Sequence, residues 1–167
     1  MFINYPITTF ISTLLIIIFL LLLSTILKIY PCGKDFISNL KSNFFHQDFT
    51  HLLSNLYGLY VISRIERKIG PKKFAILLAS IILINTIIET SAHTIVDIPC
   101  SIGFSAILYG LFAWEISTSR DETDYYIISA IGLDIFSEIF NINKGKALVN
   151  HFFGIISGII LGRFLKF

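Results

Sequence analysis

Four residues in this chain could do chemistry together: His51, Asn55, Ser105 and His151. A serine hydroxyl is a poor nucleophile at neutral pH and needs a base within hydrogen-bond reach. A neutral imidazole suits, with an ordinary pKa of about 6.5. His51 and Asn55, in "HLLSNLYGLY", are four residues apart and share one helix face. Imidazole and amide N–H groups together can donate to one developing negative charge. Ser105 opens an apolar run in "IPCSIGFSAILYGLFAWE", where a helix start offers free backbone N–H groups. His151 stands three residues before Gly154, and Gly158 and Gly162 follow at four-residue spacing. Such a glycine ridge lets a neighbouring helix approach closely.

Each feature alone has an ordinary explanation. A serine in an apolar helix is usually a packing residue, and a glycine seam is usually only a seam. An asparagine can bond another helix, and a histidine can sit at an interface. What matters is whether the chain brings all four residues to one place.

The elements that must position them are apolar. The 167 residues are 54% hydrophobic and only 14% charged, and the mean hydropathy is +0.78. Soluble domains carry about 25% charged residues. The expected class is an all-α polytopic membrane protein, folded as a single domain over residues 1–167. Six candidate spans follow from apolar length: 7–29, 50–65, 74–90, 103–118, 125–142 and 147–164. The first has no basic residue before it and is too long for the apolar run of a signal peptide, so it reads as a retained span. A net charge of +2 without any basic tail argues against nucleic acid as a partner. Cys32 and Cys100 form no metal-type pair. They remain open as a disulfide, and a Cys100-based nucleophile lacks a matching geometry.

Orientation follows from Lys and Arg in the connections. With a cytoplasmic N-terminus, the inner side holds Arg64, Arg67, Lys68, Lys72, Lys73, Arg120, Arg163 and Lys166, and the outer side Lys28, Lys34, Lys41, Lys144 and Lys146. Eight against five puts both termini in the cytoplasm. Helices two, four and six then start on the outer side, so His51, Ser105 and His151 share a depth. No acidic residue stands in an orienting position, so a Ser–His dyad fits better than a triad. His46 and His93 are expected in solvated outer loops, and Glu115 near the inner surface. Asp134 and Glu138, four apart in the fifth helix, receive no role.

Three stretches, "HQDFTHLLSNLYGLYVISRIERKIG", "GFSAILYG" and "NHFFGIISGIILG", resemble the signature regions of rhomboid intramembrane serine proteases. The resemblance implies a six-helix bundle, with Ser105 as nucleophile and His151 as general base. It implies an oxyanion hole from His51, Asn55 and the Ser105 backbone N–H. Gly103 matches the first motif glycine, and Glu66 and Gly70 fit the pattern after the second helix. The implied substrate is a transmembrane segment of another protein within the lipid bilayer, with small residues at the cleaved bond and helix-breaking residues beyond it. No metal or organic cofactor is implied. Two departures stand out. Ala106 replaces the glycine after the nucleophile, and the Trp-Arg pair of the first loop is missing, the only tryptophan being Trp114. The rival readings are a catalytically silent client-binding relative and, further off, a small transporter.

Overall fold

The computed structural model describes residues 5–24, 33–98, 101–118 and 145–167, all helical or loop, with no strand among them. The helices are α1 (Pro6–Leu23), α2 (Phe36–Ser42), α3 (Phe49–Ile69), α4 (Pro71–Ile95), α5 (Ser105–Thr118) and α6 (Gly145–Phe164). The second, third and sixth candidate spans are therefore helices, the fourth is helical from Ser105, and the first is helical over its described part, to Leu23. The fifth, 125–142, lies outside the described residues, as do Asp134, Glu138, Cys32 and Cys100. Two of the described helices, Pro6–Leu23 and Pro71–Ile95, are long and apolar enough to cross a membrane.

α3 and α4 run past the apolar limits read from the sequence because caps, not apolarity, set where they start and meet. Asp48 accepts from the His51 backbone N–H and starts α3 before the apolar run begins. Pro71 occupies the first turn of α4, where its missing N–H is no loss. Between them stands one residue, Gly70, at φ 84° and ψ 156°. Only glycine adopts that conformation without strain, so α3 passes into α4 through a single residue. The short helix α2 is an element that apolar length does not detect. Asp35 caps it, accepting from the Ser38 backbone N–H and from the Ser38 hydroxyl.

α4 is the central element and touches every other described helix. Phe74, Leu77 and Ile81 of α4, Leu59 and Ile62 of α3, and Ile107 and Leu111 of α5 are fully buried in one core. α5 and α6 pack most extensively of all the pairs. α1 is fastened by a buried carboxylate. Glu66 of α3, 1% exposed, accepts from the backbone N–H groups of Ile7 and Thr8 and from the Thr8 hydroxyl, at 2.7–2.9 Å. It satisfies donors that the first turn of α1 cannot bond within the helix. A second buried carboxylate, Glu115 of α5, takes Nη2 and Nε of Arg64 from α3 at 2.7 and 3.2 Å. The polar distribution is inverted relative to a water-soluble domain. Asn39, Glu66, Asn85 and Glu89 are buried, while Phe10, Leu20, Tyr57, Ile87 and Phe152 are exposed.

Candidate functional site

Ser105 is the first residue of α5, and its position depends on the residues just before it. Gly103 has φ 125°, a conformation that L side chains rarely adopt. Its backbone N–H donates to the Ser42 carbonyl at 3.0 Å, tying the lead-in of α5 to the end of α2. The carbonyl of Phe104 then accepts from Ile107 and Leu108, and α5 begins. Ser105 is left half-buried at the mouth of the helix.

The glycine ridge of α6 brings His151 to it. A methyl group on Gly154 would collide with the Ala106 carbonyl, and one on Gly158 with the Gly110 carbonyl. A methyl on Gly162 would strike the Ser117 hydroxyl. At Gly154 and Gly158 the two helices therefore meet backbone to backbone. At that spacing His151 Nε2 lies 2.8 Å from Ser105 Oγ. The imidazole is 5% exposed, and the Tyr109 ring stacks on it at 4.3 Å between centroids and 20° between planes. Tyr109 is a site residue that the sequence reading missed. Its signal was there, since it follows Ser105 by four residues and shares its helix face.

Ala106 is fully buried, and what faces the neighbouring helix is its carbonyl, against Gly154. The bare position the seam requires is on α6, and Gly154 supplies it.

His51 and Asn55 approach from α3. A Cβ on Gly103 would stand 2.5 Å from both Nε2 and Cε1 of His51, so the imidazole rests on the bare glycine two residues before Ser105. Asn55 is 2% exposed, and its amide donates to the His51 carbonyl at 2.9 Å. An amide nitrogen has two hydrogens, so one donor remains beyond that bond. His51, Gly103, Ser105 and His151, from three helices and a loop, thus form one connected group. A hydroxyl in contact with an imidazole can pass it a proton. Imidazole, amide and helix-start N–H groups nearby can receive an oxyanion.

Two histidines depart from expectation. His46 and His93 are buried, at 4% and 8% exposure, not solvated. His93 is buried because α4 continues to Ile95, which keeps it on the inward face with Asn85 and Glu89. His46 is buried because its loop folds under the start of α3 and sets its ring edge-to-face with His51, 5.0 Å between centroids. Burial pulls the His46 pKa down to about 4, helped by the neighbouring His51 and opposed by the Phe44 backbone and Asp48. Trp114, in α5, donates its indole N–H to the Leu165 carbonyl at 2.9 Å and ties the end of the chain to the bundle.

The rhomboid domain family matches residues 33–166. A protein of Acanthamoeba polyphaga mimivirus that carries a provisional rhomboid name is 23% identical over 155 residues, covering 90% of this chain and 88% of that one.

Proposed function

Because the chain belongs to the rhomboid family, we propose that it is an intramembrane serine endopeptidase that cleaves transmembrane segments of other proteins by a Ser105–His151 dyad. The observation that carries this reading is the 2.8 Å contact between His151 Nε2 and Ser105 Oγ. The bundle has six spans, with both termini in the cytoplasm and the site just below the outer face of the bilayer. The burial of Asn39, Glu66, Asn85 and Glu89 beside exposed Phe10, Leu20, Tyr57, Ile87 and Phe152 supports a lipid surround.

In the reaction, Ser105 Oγ attacks the carbonyl carbon of the scissile bond and its proton passes to His151 Nε2. The tetrahedral oxyanion accepts from His51, Asn55 and the Ser105 backbone N–H. As the C–N bond breaks, His151 protonates the leaving amine. A water molecule, giving its proton to His151, then attacks the acyl-enzyme ester and regenerates Ser105. His151 returns that proton to Ser105 Oγ, and stacking on Tyr109 keeps the imidazole plane aligned through these proton transfers. The steps use no metal and no organic cofactor.

The test needs no known substrate. The purified protein in mild detergent is treated with a serine-reactive fluorophosphonate, beside Ser105→Ala and His151→Ala, with folding followed by circular dichroism. Labelling of the wild type that is lost in both variants is the expected result. A folded wild type that takes no label overturns the reading in favour of a silent client-binding relative.

A further inference from the structure

His51 must hold its ring toward Ser105, and contacts from outside α3 bear on that ring. It stands in the first turn of α3, where the helix itself gives a side chain little support on its N-terminal side. Two contacts from outside the helix restrain the ring. Gly103 lies against Nε2 and Cε1, and His46 meets the ring edge-to-face at 5.0 Å and an interplanar angle of 68°.

His46 is itself firmly placed. The segment before it is folded by side-chain bonds to the Asn39 carbonyl, from the Ser42 hydroxyl at 2.8 Å and the Asn43 amide at 2.9 Å. The Ser42 carbonyl accepts the Gly103 N–H at 3.0 Å. One short stretch, residues 39–46, therefore touches both sides of the site: the backbone that leads into Ser105 and the ring of His51. Edge-to-face packing fixes the relative orientation of two rings more strictly than apolar contact does.

We propose that His46 is a positioning residue, which holds the His51 imidazole against Gly103 in the orientation that donates to the substrate oxyanion formed when Ser105 attacks. His46 does not touch the substrate; it acts through His51. At neutral pH the buried ring is uncharged, so its contribution is shape and not charge. An aromatic ring without nitrogens should therefore replace it, and an aliphatic side chain should not. The inference rests on the reading of Ser105 as nucleophile and His51 as oxyanion donor.

The experiment is a double-mutant cycle on the rate of fluorophosphonate labelling, in the full-length protein, with thermal melts run on every variant. His46→Ala should slow labelling about tenfold, a part of the 10²–10³ that a lost oxyanion donor costs. His46→Phe should stay within about threefold of wild type, and His46→Leu, which fills the space without a ring, should fall with alanine. In the His51→Ala background, His46→Ala should add no more than about twofold. If His46→Ala slows labelling equally in both backgrounds, the residue merely supports the fold and the proposal fails. It also fails if His46→Ala and His46→Leu label at the wild-type rate. Should His46→Ala not fold, the leucine and phenylalanine variants decide, since a folded leucine variant as fast as phenylalanine removes any need for the ring. A wild type that does not label at all overturns the Ser105 reading and this inference with it. A wild type that labels, with no coupling between His46 and His51, overturns this inference alone.

Discussion

His151 Nε2 and Ser105 Oγ lie 2.8 Å apart although 46 residues separate them in the chain. The contact exists because α5 and α6 meet backbone to backbone along the Gly154 and Gly158 positions. Ser105→Ala and His151→Ala should each reduce proteolysis by on the order of 10⁴-fold or more, because nucleophile and base act as a unit. Their melts should stay close to wild type. Cleavage of a reconstituted transmembrane substrate measures the loss, and unchanged turnover by purified Ser105→Ala would sink the mechanism.

Asn55→Ala should have a smaller effect. One oxyanion donor is worth about 10²–10³ in rate, and His51 and the Ser105 backbone N–H remain. The amide also bonds the His51 carbonyl, so a modest loss of stability should accompany it. Turnover and melting temperature on the same preparation separate the two contributions.

Gly154→Ala tests the seam. The atoms a new methyl would meet are backbone, the Ala106 carbonyl above all, and they have no side-chain freedom with which to yield. The helices must separate, at a cost of about 1–3 kcal/mol, and labelling of Ser105 should fall along with the melting temperature. Gly158→Leu should be worse, since Gly110 and Ala113 both stand in the way. Ala106→Gly should leave the Ser105–His151 contact in place, and labelling of that variant checks it.

Glu66→Ala should loosen α1 without touching the site. Two backbone N–H groups and one hydroxyl lose their acceptor, a loss of about 3 kcal/mol. Glu66→Gln keeps one acceptor oxygen and should lose less. The expected signature is a lower melting temperature, with the folded fraction labelling at the wild-type rate.

The buried His46 gives stability a pH dependence. Its pKa is about 4 in the fold against an ordinary 6.5, so the unfolded chain binds the proton first as pH falls. Stability is therefore lost as pH falls from about 6.5 toward 4 and levels off below that, by at most about 3 kcal/mol in all. His46→Phe should flatten this part of the profile. Melting temperatures of the two proteins from pH 7.5 to 4 check it; equal slopes would rule the contribution out.

Much of the fold and site was legible in the chain because the signals are local. Apolar runs marked five of the described helices, and four-residue spacing put His51 with Asn55 and His151 beside a glycine ridge. The residue types announced the chemistry. Gly70 could be picked out from its place after "RIERKI", yet its positive φ is seen only in the folded turn. What the sequence could not decide involves partners distant along the chain. Ser105 and His151 meet only because α5 and α6 pack at glycine distance, and Glu66 finds its role only when α1 docks. His46 reads as a polar loop residue in isolation, and the tuck of its loop beneath α3 makes it a buried ring against His51. Spacing along one helix is set by covalent geometry and repeats wherever that helix forms. Burial, ring contacts and the distance between a hydroxyl and an imidazole depend on how separate helices pack, and the tertiary structure alone decides that.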